Sequence, residues 1–186
     1  CMIKDASVNI RMMRAAAFAA ALLFLPTLAG AETLLRRGNG AEPQSLDIHG
    51  VQGVPEAHLL RDLYEGLVAE AADGAHIPGA AESWTIGADG TVYTFRLRPD
   101  GKWSNGDTVK ASDFVFAFRR GMNPMTASPY AFLMYPVKNA RAITTGERLP
   151  ETLGIRAIDG LTLEITLEQP TPYFLGQLTH YFAYPL

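Results

Sequence analysis

Tyr93-Thr94-Phe95-Arg96-Leu97-Arg98 sets a bulky apolar side chain at every second position, with polar ones between. A strand sends successive side chains to opposite faces, so this stretch reads as a strand with one face in a core and one in water. Asp89-Gly90 supplies turn residues just before it, which makes Glu82 to Ile86 the expected hairpin partner. The alternation returns at Leu161, Leu163, Ile165 and Leu167 against Thr162, Glu164 and Thr166. That second strand is entered through Asp159-Gly160, and Ile155 to Ile158 is its expected partner. Between the two hairpins a helix is expected over roughly Ser112 to Arg120, burying Phe114, Val115 and Phe118 and stopping before Gly121.

Moving outward, Leu59, Leu60, Leu63, Tyr64 and Leu67 recur at three- and four-residue steps, the spacing of one helix face. Pro55 is tolerated in the first turn of that helix, and Glu56 suits its positive dipole end. Arg61, Asp62 and Glu65 occupy the opposite face. Upstream, Leu34 and Leu35 are read as a short strand giving way to Gly38-Asn39-Gly40 and an extended loop to Gly53. Downstream, Pro170 and Pro172 end the last strand and introduce a short helix containing Phe174, Leu175 and Leu178. The fold class is therefore mixed α/β (α+β), without internal repeats or low-complexity tracts.

The amino-terminal residues read as an address. Arg11 and Arg14 precede an uncharged run from Ala15 to Ala31 whose apolar centre spans Phe18 to Leu28, and Ala29-Gly30-Ala31 forms a small-residue site. This is the layout of a secretory signal peptide, with cleavage expected between Ala31 and Glu32. Pro26 interrupts the run and no positive cluster follows it, which argues against a membrane anchor and predicts no membrane insertion of the mature chain. Met12 or Met13 is the expected start, and no Cys follows the small-residue site to carry a lipid. Cleavage removes three of the 16 basic residues and one of the 19 acidic ones, changing the net charge from -3 to -5. An acidic exported chain with a single Cys suits a bacterial periplasm.

The 186 residues are 48% hydrophobic and 19% charged, ample for a core and inconsistent with disorder. Net negative charge excludes the basic face that nucleic acid requires. His49, His58, His76 and His180 form no metal-binding spacing, and Gly38-Asn39-Gly40 lacks the remaining glycine of a dinucleotide loop. There is no G-x-S-x-G or S-x-x-K, and Cys1 lies outside the mature chain, so no catalytic nucleophile emerges. Asp89, Asp100, Asp107 and Asp159 belong to turns. Tyr93, Phe95, Trp103, Phe114, Phe116 and Phe118 read as core. No catalytic residue, metal or cofactor is expected.

Several strings, taken in order, point further. They are Asn39-Gly40-Ala41-Glu42-Pro43-Gln44-Ser45-Leu46-Asp47, Gly53-Val54-Pro55-Glu56, Arg61-Asp62-Leu63-Tyr64-Glu65-Gly66-Leu67, Pro78-Gly79-Ala80-Ala81-Glu82-Ser83-Trp84, and Lys102-Trp103-Ser104-Asn105-Gly106. Ala111 to Val115, Thr126 to Ala131, and Leu163 to Leu167 followed by Pro170 and Pro172 continue the series. Together they resemble the amino-terminal lobe of the oligopeptide-binding branch of the family 5 extracellular solute-binding proteins, which serve peptide ABC importers. Lys110 stands where that family usually has a Thr helix cap, which would pass the cap to Ser112, and Asn105 replaces a commoner Asp.

The resemblance implies a periplasmic binding protein-like type II architecture, a two-lobed clamp that closes on a peptide and delivers it to a membrane permease. Residues 34–64 would begin the first lobe, 65–168 would form an accessory domain, and 169–186 would return to the first lobe, leaving that architecture incomplete. It implies that peptide main chain adds to an edge at Gln52, Gly53 and Val54. Tyr130 would line the ligand cavity and His180 would face it. The full-length protein is expected to be a periplasmic monomer whose partners are peptides and the importer's permease. A dipeptide, murein-peptide or other small-solute preference is the alternative within the family. From other classes come a secreted enzyme with catalytic groups beyond Leu186 and a nonfunctional truncated product.

Overall fold

The two alternating stretches lie side by side in one antiparallel sheet, although about 65 residues separate them. In the computed structural model, which describes residues 34–186, the expected signal and its cleavage site lie outside the described residues. Following the short helix α1 (Val54–Leu63), a small ribbon pairs β1 (Val68–Glu70) with β2 (His76–Pro78). The four-stranded sheet contains β3 (Ala81–Ile86), β4 (Val92–Leu97), β5 (Ile155–Ala157) and β6 (Thr162–Thr166) in the order β3-β4-β6-β5. Both expected hairpins form, and β4 joins them by pairing Tyr93 with Ile165 and Phe95 with Leu163.

The alternation sorts the two faces as read. Tyr93, Phe95, Leu97, Leu163 and Ile165 are buried together, while Arg96 donates to Thr162 Oγ1 at 3.2 Å and Arg156 pairs with Glu164 at 2.7 Å on the other face. Over the buried face lies α2 (Ala111–Met122), contributing the fully buried Phe114 and Phe118. Each such phenyl ring taken from water contributes roughly 1.5–3 kcal/mol. The core also takes in Met134 from the 3₁₀ turn Ala131–Met134, Ile143 from α3 (Ala140–Thr144), and Phe174 from α4 (Phe174–Gln177).

Five local readings are corrected. Leu34 and Leu35 form no strand; two apolar residues before Arg36-Arg37 make too short a run to hold a ladder. Leu63 is 61% exposed while Glu56 is buried, because the start of α1 tucks beneath the preceding loop and its Glu56 carboxylate accepts the Gln44 N–H at 3.0 Å. Phe116 is exposed because two residues along a helix turn it away from the Phe114–Phe118 stripe. Ser112 does not cap α2; the N-cap is Lys110, whose N–H donates to Asp113 Oδ2 at 2.9 Å, and the same carboxylate accepts Trp103 Nε1–H at 3.0 Å. Asn105 still makes the turn, accepting the Asp107 N–H at 2.9 Å. Finally, α2 runs through Gly121 rather than stopping before it. A Cβ there would stand 2.5 Å from Phe182 Cζ and 2.8 Å from His49 Nε2, so glycine serves close packing rather than a helix end.

That packing joins the sheet domain to a second, smaller cluster of Ile48, Val51, Leu60, Tyr181 and Tyr184. A polar network seals the join. Arg120, near the end of α2, holds both Asp47 carboxylate oxygens at 2.6 and 2.8 Å and donates to His49 Nδ1 at 2.9 Å. The opposite ring nitrogen of His49 then carries the proton donated to the Phe182 carbonyl at 3.2 Å. Three distant segments, the 47–50 turn, α2 and the 3₁₀ turn Tyr181–Ala183, thus meet at one buried histidine.

Candidate functional site

The Gln52–Val54 segment leaves this second cluster as a short stretch of main chain held at both ends. Before it, the carbonyl of buried Val51 accepts the Tyr181 hydroxyl at 3.2 Å. At its far end the Gly53 carbonyl accepts the Ala57 N–H at 3.1 Å, the first bond of α1. Between these anchors Gln52, Gly53 and Val54 are exposed, and their three N–H groups and the Gln52 carbonyl have no partner among the described residues. Unpaired backbone groups in water are the raw material of strand addition.

Gly53 has φ 139° and ψ 163°, a conformation that side chains other than hydrogen rarely tolerate. A Cβ there would also lie 2.6 Å from the Glu56 carboxylate. The segment therefore presents bare backbone where another backbone can approach closely. Pro55, having no N–H, ends the row of donors within the first turn of α1.

The Tyr181 that holds Val51 belongs to an aromatic group. Tyr130 packs on the second cluster, its ring 4.8 Å from His180 and 5.8 Å edge-on from Tyr181, while His180 and Tyr181 lie 4.1 Å apart. The His180 Nδ1 accepts the Phe182 N–H at 3.2 Å, which leaves the ring proton on Nε2. Burial, aided by the nearby Arg61 charge, lowers the His180 pKa to about 4, so the ring is neutral at pH 7 and offers Nε2–H as a donor. Burial, with help from Tyr130 and Glu56, pushes the Tyr181 hydroxyl well above the ordinary phenol value and keeps it a donor.

Tyr181 links the two groups of expected residues: it bonds to Val51, the residue before Gln52–Val54, and touches both Tyr130 and His180. Sequence reading assigned no role to Tyr181 and gave Glu56 only a dipole role. No periodicity marks Tyr181, whose partners lie 51 and 130 residues away. His49, noted in the sequence only for lacking a metal-binding spacing, is fully buried and belongs to the join. Among the described residues no group of three or more His, Cys, Asp or Glu side chains is placed to hold a metal ion, and no helix is long and apolar enough to cross a membrane. The arrangement offers main-chain pairing and aromatic contact.

Residues 75–186 match the family described as bacterial extracellular solute-binding proteins, family 5 Middle. The chain is 49% identical over 156 residues to the periplasmic oligopeptide-binding protein OppA of Escherichia coli, an alignment covering 83% of this chain and 28% of that protein. Among solved structures, Haemophilus influenzae OppA in complex with the peptide RPPGFSPFR is similar, with a TM-score of 0.76 and 47% identity over 80% of this chain and 29% of that one. The murein tripeptide-binding protein MppA of Escherichia coli is similar too, at a TM-score of 0.75 and 39% identity over 78% of this chain and 29% of that one. The mixed α/β architecture is thus that of periplasmic binding proteins of this type, and the chain spans under a third of the length of these relatives.

Proposed function

The chain belongs to the family 5 bacterial extracellular solute-binding proteins, and from that premise we propose that it is the amino-terminal part of a periplasmic oligopeptide-binding protein feeding an ABC importer. The observation that carries the reading is the exposed Gln52–Gly53–Val54 segment, whose three N–H groups and one carbonyl have no partner among the described residues. A peptide laid along it gains backbone hydrogen bonds whatever its side chains are, which suits a carrier of peptides of varied sequence. Tyr130 and His180 border the ligand beside this edge, the histidine as a neutral donor.

Residues 34–64 and 169–186 belong to the first lobe of the clamp, and 65–168 form the accessory domain. The separate cluster around Ile48, Leu60 and Tyr181 supports setting 34–64 apart, while Phe174, Leu178 and Phe182 of the returning segment pack into the cluster of the sheet and α2. Export through the cleaved signal delivers a monomer to the periplasm, where it presents its ligand to the permease. The protein binds and does not turn over its ligand.

Calorimetric titration of the protein carrying this chain with short peptides of unrelated sequence tests the proposal. Binding of several such peptides is expected, and parallel titrations with a dipeptide and with murein tripeptide distinguish the oligopeptide preference from the alternatives within the family. A folded protein that binds no peptide, or that consumes one, would overturn the reading.

A further inference from the structure

Tyr181 is 2% exposed, so no ligand reaches more than its margin, yet it contacts three parts of the proposed site. Its hydroxyl meets the Val51 carbonyl across 130 residues of sequence at 3.2 Å, and its ring abuts those of Tyr130 and His180. Resting on the peptide-binding reading above, we propose that Tyr181 is a positioning residue for the ligand: its hydroxyl fixes the carbonyl immediately before the Gln52–Val54 edge, and its ring sets Tyr130 and His180 beside that edge.

The physical basis is preorganisation. Among the described residues the Gln52 and Gly53 N–H groups find no partner, so the conformation there depends on the anchors at Val51 and at Gly53 O. A ligand strand that had to order a loose edge would bind more weakly, by about tenfold for each residue it immobilised. The Tyr181 hydroxyl removes that cost at Val51. Its burial keeps the hydroxyl protonated, so the bond persists throughout the physiological pH range.

A matched contact lies in the same cluster. Tyr184 also donates its hydroxyl to a carbonyl at 3.2 Å, that of Thr179, five residues away and outside the edge. A purely structural tyrosine would behave like Tyr184; a positioning one would not.

The test uses the protein carrying this chain, a peptide that binds the unsubstituted protein, and the substitutions Tyr181→Phe and Tyr184→Phe. Tyr181→Phe is expected to weaken peptide affinity about tenfold and to speed amide exchange at Gln52 and Gly53, with peptide affinity in Tyr184→Phe changed less than about twofold. Equal affinities in the two variants, with the unsubstituted protein binding peptide, would overturn the positioning role and leave the peptide-binding reading standing. Failure of the unsubstituted protein to bind any peptide would overturn both. Replacement of Tyr181 by 4-aminophenylalanine, which keeps a donor at the ring tip, covers the case in which the phenylalanine variant does not fold. Affinity within about threefold of the unsubstituted protein is expected there, and a folded variant that has lost binding would overturn the role.

Discussion

Acidification should weaken the fold through one buried ring, His49. Its side chain is fully buried, its Nδ1 accepts from Arg120 and its Nε2–H donates to Phe182, so a second proton would have to sit on Nδ1 against a guanidinium. Burial first and Arg120 second lower its pKa from 6.5 to about 4, against the opposing effects of the Phe182 carbonyl and Asp47. A lowered value in the fold means that the unfolded chain binds the proton more readily. The contribution is therefore complete above pH 6.5 and disappears as the pH falls from there to about 4. The difference is worth about 3 kcal/mol in full, with a slope of about 1 kcal/mol per pH unit near pH 5. His180 adds a smaller effect of the same sign over the same range, being partly exposed. Asp47, held near 2 chiefly by the Arg120 hydrogen bonds, acts only below pH 4 and does not interfere.

Urea titrations followed by Trp84 and Trp103 fluorescence, from pH 7.5 to 4.5, read this slope in the longest soluble protein that carries the chain. His49→Gln should cost about 1–3 kcal/mol at pH 7.5, because buried hydrogen bonds and packing are disturbed. On acidification its stability should fall less steeply than that of the unsubstituted protein, so that the two curves converge. Parallel curves across pH 6.5 to 4.5 would refute the assignment of the acid sensitivity to His49.

Other substitutions test the packing and the edge. Gly121→Ala forces a methyl group against Phe182 and His49, both buried, and should destabilise by roughly 1–3 kcal/mol in a thermal melt. Gly53→Ala meets both the left-handed backbone and the Glu56 carboxylate, so a similar cost of about 1–3 kcal/mol is expected, with calorimetry showing weaker peptide binding. Residues 32–186 expressed alone should associate or precipitate, since Val54, Leu63 and Leu46 are exposed on and beside α1; a monomer that melts cooperatively would contradict this.

The strands could be read because their information is local. Tyr93-Phe95-Leu97 and Leu163-Ile165 announce their buried faces by period alone, and Asp-Gly pairs mark where each hairpin turns. Pairing between β4 and β6 could not be read that way, since nothing in either strand names its partner. The ribbon β1–β2 has three-residue strands, too short for any period to emerge. On α1 the heptad-like spacing favoured Leu63 as a core residue, but the preceding loop, not the helix's own pattern, decides that Glu56 goes in and Leu63 stays out. At the proposed site, Gln52–Val54, Tyr130 and His180 were reached through family resemblance. The residue that binds them together, Tyr181, carries no sequence signal because its role is made entirely of distant contacts.

The central β4–β6 ladder also sets a timetable. Leu97 leaves the ribosome about 65 residues before Thr162, an interval of several seconds at typical synthesis rates of about 5–20 residues per second. During that interval the first hairpin exists with its inner edge unpaired and its apolar face uncovered, open to any other nascent strand. The long separation of β4 and β6 thus postpones closure of the ladder at no cost to the finished sheet, and makes β6 the strand whose arrival completes it.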